Sequence, residues 1–313
     1  MEKVTQDLVI IGAGVSGLSA AIYGARGGLS TTIIEMGAVG GQALQIDRLE
    51  NYPGFSEPTD GYTLSASMQS QATTYGAKFI YSQVSSIAKE DNLFCVKHSD
   101  GELFAQAVIV ATGATHRKID VPGEKEFSGR GVSYCATCDG PFFKGKKILV
   151  VGGGDSACDE AQFLSKLSDK VTIIHRKERF RAQKVVANRV LNNPNIMVKF
   201  NTVVKEIKGD KKVSSVVLQN LTHNSIYEEE FDGVFIFVGM APQTEFVSDL
   251  VKLDKTGYII TDKNMESSVS GLFACGDVRD SAFRQIVTAS SDGAIAAHYA
   301  ALYIDEQKNQ KYC

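Results

Sequence analysis

The chain has 313 residues, room for two domains that each bury a core, and its 33 Lys+Arg against 36 Asp+Glu leave a formal net charge of -3 at pH 7. A balance this close to neutral gives no field that recruits nucleic acid or an anionic membrane, so the expected substrate is a small molecule or a protein. Cys95, Cys158, Cys275 and Cys313 stand singly and make no disulfide framework; only Cys135 and Cys138 are paired in sequence.

The first uncharged run, Leu8 to Ala25, could be taken for a secretory signal or a membrane span. Glu2, Lys3 and Asp7 precede it in place of a basic region, and Gly12, Gly14, Gly17 and Gly24 interrupt it. It reads as a buried strand followed by a helix, in a soluble cytoplasmic protein. Within DLVIIGAGVSGLSAAIYGARGG the strand runs into Gly12-x-Gly14-x-x-Gly17 and then a helix with Leu18, Ala21 and Ile22 on one face. The first glycine permits a tight turn, the second lets backbone approach a pyrophosphate, and the third lets helix pack on strand. The phosphates would meet the helix N-terminus, whose free N–H groups and dipole favour anions. The next strand, TTIIE, ends in Glu35 at the spacing of a ribose-binding acid, about 20 residues on. An acid there accepts from a ribose 2′-OH and repels a 2′-phosphate, so the first site expects FAD or NAD.

Ala107 to Gly123, AVIVATGATHRKIDVPG, is a strand that ends in glycine and leaves its domain. SYCATCDGP, Ser133 to Pro141, then sets Cys135 and Cys138 at a spacing open to half a zinc site, a structural staple or a redox couple. The glycine fingerprint returns in KKILVVGGGDSACDEAQFLSKL as Gly152-x-Gly154-x-x-Ala157. Its following strand, KVTIIHRKERFR, carries His175 at the offset of Glu35, with Arg176, Lys177, Arg179 and Arg181 behind it. A basic cluster there clamps a 2′-phosphate, so the second site expects NADPH. GVFIFVGMAPQTEF, Gly233 to Phe246, crosses back. Residues 117–244 are therefore expected as an inserted domain, and 1–116 with 245–313 as a discontinuous one, resumed by GLFACGDVRD and RQIVTASSDGAIAAHYAALYI. Both crossings are short hinges rather than disordered linkers. Two nucleotide sites of opposite preference imply that a resident flavin accepts hydride from NADPH.

The motifs GAGVSG, GGQ at Gly40 to Gln42, ENYPGF, ATG at Ala111 to Gly113, CATCDG, GGGDSA, HRKERFRA, GLFACGDVRD and RQIVTASSDG run along essentially the whole chain. Through them it resembles the bacterial-type, low-molecular-weight thioredoxin reductases, and CATC within the second nucleotide domain is the most discriminating. The resemblance implies an α/β fold of two Rossmann-like (doubly wound, three-layer) nucleotide-binding domains, with the NADPH domain inserted in the FAD domain. It places Gly12, Gly14, Gly17, Glu35, Gly41, Gln42, Asn51, Thr112, Asp277, Arg284 and Gln285 around tightly bound FAD. Around NADPH it places Gly152, Gly154, Ser156, Ala157, His175, Arg176, Lys177 and Arg181; Lys177 departs from the more frequent arginine, which keeps the charge and weakens a bidentate grip. It further implies that Cys138 faces the flavin, that Cys135 attacks the disulfide of thioredoxin, and that Asp139 is the acid/base beside them. A cytoplasmic homodimer is implied with these, as is rotation of the NADPH domain on its hinges to show the flavin either disulfide or nicotinamide. Neither nucleic acid nor membrane is an expected partner.

No metal is expected at the cysteine pair, because no second Cys-x-x-Cys exists and His116 and His175 lack ligand spacing to it. A staple across two intervening residues has little to clamp, and cytosolic disulfides are usually transient or catalytic, which leaves redox chemistry. Asp139 has an ordinary competing role, capping the following turn. Cys313 reads as an exposed bystander. Three activities compete on this scaffold: thioredoxin-disulfide reduction, a dithiol oxidase or peroxide-linked disulfide reductase acting on another partner, and a non-enzymatic redox sensor.

Overall fold

The computed structural model describes residues 5–46, 49 and 51–308. Cys313 lies outside the described residues. The chain divides into two compact units, residues 1–115 with 241–313 and residues 116–240.

In chain order the first unit begins with parallel β1 (Thr5–Ile11) and β2 (Thr31–Glu35), joined through α1 (Val15–Arg26). Then come α2 (Gly61–Thr74), capped by Asp60 Oδ1 accepting from Thr63 N at 2.7 Å, and β3 (Lys78–Tyr81), parallel to β2. β4 (Val84–Glu90), β5 (Leu93–His98) and β6 (Gly101–Val110) form an antiparallel meander. Out of this unit leads β7 (Ala114–His116).

The second unit holds β8 (Val132–Ser133), α3 (Ala136–Asp139), β9 (Ile148–Gly152), α4 (Asp155–Ser165), β10 (Val171–Ile174), α5 (Lys184–Leu191) and β11 (Ile196–Lys199). An antiparallel meander of β12 (Thr202–Gly209), β13 (Val213–Asn220) and β14 (Ser225–Glu230) precedes β15 (Gly233–Phe237). β16 (Met240–Pro242) leads back, and β17 (Leu272–Ala274) and α6 (Ile286–Gln307) complete the first unit.

The two units repeat one plan. In the first, the order is β3-β2-β1-β6; one edge of β6 is covered by β1, and the other is shared, by β5 along Gly101 to Ala105 and by β17 along Val108 to Val110. In the second, β11-β10-β9-β15-β8 is parallel throughout. Side chains alternate across each strand, so one apolar run feeds two cores. Leu8 and Ile10 join α1, α2 and α6 on one face, whereas Val9 and Ile11 join Phe94, Val96 and Val247 on the other. Ile148 and Val150 pack under α4 and α5, and Leu149 and Val151 pack under the β12–β14 meander. The third layer of the second unit is thus a β-meander instead of helices. α1 and α6 come close at Gly293, where a Cβ would strike the Ser16 carbonyl, and Ser19 Oγ donates to Ser290 O at 2.7 Å across the same contact.

The return crossing falls at Met240/Ala241, ahead of the expected residue 245. Gln243 and Thr244 are already tied into the first unit: Gln243 N donates to Gly113 O at 3.1 Å, Thr112 Oγ1 donates to Gln243 O at 2.7 Å, and Thr244 Oγ1 donates to Gly257 O at 2.9 Å. Among the described residues no helix is long and apolar enough to cross a membrane.

Candidate active site

The first dinucleotide turn joins β1 to α1. Gly12 takes φ +102°, and a Cβ there would overlap the Ala111 carbonyl; a Cβ on Gly17 would overlap the Gly12 carbonyl. Those two glycines serve packing. Gly14 is different, since a Cβ on it would meet nothing within 4 Å. It is also the N-cap of α1 and provides no side-chain cap, so the first-turn N–H groups face that open space. Glu35 Oε2 accepts from Ala13 N at 2.6 Å and Oε1 from Gly37 N at 2.7 Å, which ties the turn to the end of β2. A carboxylate has about four acceptor positions, so two remain for ribose hydroxyls.

The other first-unit candidates fall in two groups, the first of them beside this turn. Gly40 bridges Gly14, which brings Gly41 beside the turn, and Gln42 Nε2 donates to Ala114 O at 2.6 Å. Thr112 has its hydroxyl committed to Gln243. At the start of α6, Gln285 forms a capping box with Thr288, and Asn51 Nδ2 donates to Gln285 Oε1 at 2.9 Å. Burial pushes the Asp277 carboxyl above the usual range, with Arg284 pulling it down and Asp292 adding to the rise. The Arg284 guanidinium lies 4.1 Å over the Tyr258 ring, and its Nη2 donates to Arg279 O at 3.3 Å, but its buried Nε has no hydrogen-bond partner among the described residues. A buried donor left unmade is costly. An open pyrophosphate face at Gly14 and an unsatisfied guanidinium N–H fit a large polar dinucleotide.

The second turn repeats this logic with Ala157 in place of the third glycine. A Cβ on Gly152 would overlap the Phe237 carbonyl, while one on Gly154 would meet nothing within 4 Å. Gly154 caps α4 without a side-chain bond, and Ser156 is exposed in the first turn. The basic segment is latched over the turn: Arg181 N donates to Gly153 O at 2.7 Å and Gln183 N to Asp155 Oδ1 at 2.8 Å. Arg176, Lys177, Arg179, Arg181 and Lys184 line one cleft of about 980 Å³. Their charge and the open face at Gly154 fit a dinucleotide with an extra phosphate. His175 lies elsewhere. It is 8% exposed, its ring fills the space beside Gly153, and its Nε2 is buried without a partner. Burial, with Arg181, Arg176 and Lys177 adding to it, pushes its pKa down. The imidazole is therefore neutral, a support behind the turn and not a cation in the cleft.

Cys135 and Cys138 form a disulfide across the first turn of α3, with Cα atoms 5.4 Å apart. Cys135 Sγ accepts from Cys138 N at 3.1 Å and lies 3.3 Å from Thr137 Oγ1. The turn that follows α3 begins at Gly140, and Asp139 makes no side-chain bond to it, so the capping role does not hold. Asp139 instead lines a pocket of about 290 Å³ with Ser133, Phe142, Lys146 and Lys212. Behind α3, a Cβ on Gly140 would press on Phe163, Leu164 and Leu167, so close packing against α4 fixes the redox helix. Phe142 is 73% exposed beside it. Sequence reasoning passed over Glu124 and Tyr134, which turn out to hold this loop; the only signal was an aromatic directly before Cys135.

The profile of the pyridine nucleotide-disulphide oxidoreductase family matches residues 6–293. The chain is 52% identical to a thioredoxin reductase of Treponema pallidum, over 97% of this chain and 98% of that protein. It belongs to this family, among the thioredoxin reductases. Identity to the Bacillus subtilis thioredoxin reductase is 44%, over 97% of this chain and 96% of the other. Among solved structures, the Lactococcus lactis thioredoxin reductase superposes with a TM-score of 0.91 at 44% identity, covering 96% of this chain and 99% of that one. The thioredoxin reductase of T. acidophilum gives 0.87 at 39%, covering 97% and 99%. The fold of two Rossmann-like domains is that of these enzymes.

Proposed function

We propose that this chain passes reducing equivalents from NADPH, through FAD, to its Cys135–Cys138 disulfide, and from the resulting dithiol to the disulfide of a thioredoxin. The observation that carries this reading is a two-residue-spaced disulfide in the same unit as a dinucleotide turn overhung by cations, while the other unit ends its turn in an acid. FAD and NADPH supply the hydride transfer and the two-electron relay.

The unit of residues 1–115 and 241–313 is the FAD-binding one. There Gly14 and Gly41 would border the pyrophosphate, Glu35 would accept from ribose hydroxyls, and Arg284, Asp277 and Gln285 would meet the remainder. In the unit of residues 116–240, Gly154 and Ser156 would border the pyrophosphate of NADPH, and Arg176, Lys177 and Arg181 would hold its 2′-phosphate. Once the pair is reduced, the Cys135 sulfur meets the Cys138 N–H and the Thr137 hydroxyl, and hydrogen bonds to a thiolate favour that form. Cys135 is the thiol that attacks. Its thiolate forms a bond to one sulfur of the thioredoxin disulfide, whose S–S bond breaks and releases a thiolate. Cys138 then bonds to Cys135 and expels the second sulfur, so this pair ends oxidised and thioredoxin ends as the dithiol. Asp139, uncommitted and next to Cys138, exchanges the protons. Exposed Phe142 offers the protein substrate an apolar contact.

The buried free thiols Cys95, Cys158 and Cys275 suit a reducing compartment, and we place the protein in the cytoplasm as a homodimer with no nucleic-acid or membrane partner. The test is NADPH oxidation by the purified yellow protein with and without an oxidised thioredoxin, with oxygen uptake followed in parallel. Turnover that depends on thioredoxin and yields its dithiol is expected. Equal turnover without thioredoxin, matched by oxygen uptake, would make it a dithiol oxidase.

A further inference from the structure

Glu124 buries its carboxylate to 2% exposure, and among the described residues no cation pairs with it. Such burial is costly unless hydrogen bonds replace water. Three donors do so. Ile119 N reaches both oxygens, at 3.0 and 3.1 Å, and Asp120 N reaches Oε2 at 2.7 Å. These two secure the segment by which the chain enters the second unit, where Asp120 is held at φ +55°. The third donor is the Tyr134 hydroxyl, 2.7 Å from Oε1. It secures the residue directly before Cys135.

Tyr134 is held a second time from the same entry segment. The His116 ring lies 6.1 Å from that of Tyr134 with 26° between their planes, and meets Phe237 edge-on at 6.4 Å. Burial pushes the His116 pKa down, so this contact is with a neutral ring. Burial, then the Glu124 hydrogen bond and charge, push the Tyr134 phenol above its ordinary range, which keeps the hydroxyl a donor. Ser133 closes the loop locally: its Oγ accepts from Cys135 N and donates to Cys135 O, both at 3.1 Å. Ser133 thus shapes the residues around Cys135 from the end of β8, which pairs with β15, and Tyr134 ties that shape to the entry segment.

We propose that Tyr134 is a positioning residue for Cys135, anchored by Glu124 and His116 so that the Cys135 sulfur stays on the Cys138 N–H and the Thr137 hydroxyl. Through that placement the anchor sets how readily the Cys135 thiol becomes a thiolate. The inference rests on the reading that Cys135 is the attacking thiol. A purely structural staple would behave differently: its loss would lower the melting temperature and leave the titration of the sulfur unchanged.

The experiment uses the full-length, FAD-loaded protein in a Cys138→Ser background, which keeps the residue-138 N–H. The rate at which iodoacetamide alkylates Cys135 is followed against pH by the mass of its peptide, with Tyr134→Phe and Glu124→Gln compared to their parent. Tyr134→Phe is expected to move the inflection to higher pH and to slow alkylation at neutral pH by about three- to tenfold, since the thiolate fraction there falls as the thiol becomes harder to ionise. Glu124→Gln, which leaves the Tyr134 hydroxyl a neutral acceptor in place of a charged one, is expected to act in the same direction and more weakly, and the double variant no further than Tyr134→Phe, because both act on one bond. Asp139 on α3, with Asp159 and Glu160 on the adjoining α4, is present in every variant and cancels in the comparison. An unchanged alkylation profile in folded Tyr134→Phe overturns the proposal, as does an additive double variant; Tyr134→Phe decides alone if Glu124→Gln does not fold. Alkylation needs no thioredoxin, so failure of the unaltered chain to reduce thioredoxin would strike the proposed function and leave this test standing.

Discussion

Replacing Arg181 with alanine removes one cation from the cleft while its backbone N–H remains on Gly153 O at 2.7 Å. The latch of the basic segment over the turn depends on that backbone bond, so the segment stays in place and the loss is confined to the guanidinium. A charge-assisted hydrogen bond contributes about 1.5–3 kcal/mol, and Arg181 is exposed, which puts it at the low end through solvent screening. About 1.5 kcal/mol is roughly tenfold, so KM for NADPH should rise about tenfold. NADH has no 2′-phosphate, and its KM should hardly move. The assay is steady-state NADPH and NADH oxidation with a saturating acceptor, repeated at low and high salt, since an exposed ionic contact weakens as the Debye length shortens. Arg176→Ala should behave alike, and Lys177→Ala should lose less because an ammonium makes a point contact. Equal losses with NADPH and NADH would refute the reasoning, for the cluster would then hold the common part of the cofactor.

His175→Ala should leave the ratio of NADPH to NADH kinetics unchanged and lower the melting temperature, because the ring is buried against Gly153; a cavity of that size typically costs about 2–4 kcal/mol. Cys138→Ser should accumulate a mixed disulfide with thioredoxin through Cys135, resolvable by non-reducing electrophoresis, and Cys135→Ser should not; both should lose thioredoxin reduction and keep NADPH-to-dye transfer. Glu160 has a buried, unpartnered Oε2, and burial followed by the Asp159 charge pushes its carboxyl up to about 7 from an ordinary 4.5. Its folded pKa is raised, so it contributes stability below pH 4.5 that is lost as pH rises to about 7. Glu160→Gln should therefore flatten the fall in melting temperature over that window and stabilise the protein at pH 8 by about 2 kcal/mol; an unchanged pH dependence would contradict the burial argument.

The legible part of this molecule is what periodicity and glycine spacing encode. Strand, glycine turn, helix and second strand follow one another at Leu8 to Glu35 and again at Ile148 to Ile174 because packing of helix on strand demands Gly12, Gly17 and Gly152 whatever is bound. The same offset rule that found Glu35 was silent on direction. At the end of β10, His175 points beneath the turn and the cations after it point out, a choice made by the bulk of a ring and the empty space beside Gly153, which no linear count records. The loop that carries the cysteines shows the same limit. Asp139 had turn capping as a competing role and makes no side-chain cap, while Glu124, which sequence reasoning passed over, is among the most buried acids of the described residues. Its partners Ile119, Asp120 and Tyr134 lie within 10 residues, yet what draws them together is the need to satisfy one carboxylate out of reach of water. Chemistry at a cysteine pair depends on tenths of an ångström at one sulfur. Residues that hold such placement from a neighbouring segment act through hydrogen bonds to backbone N–H groups, which every residue but proline has, and they leave no motif.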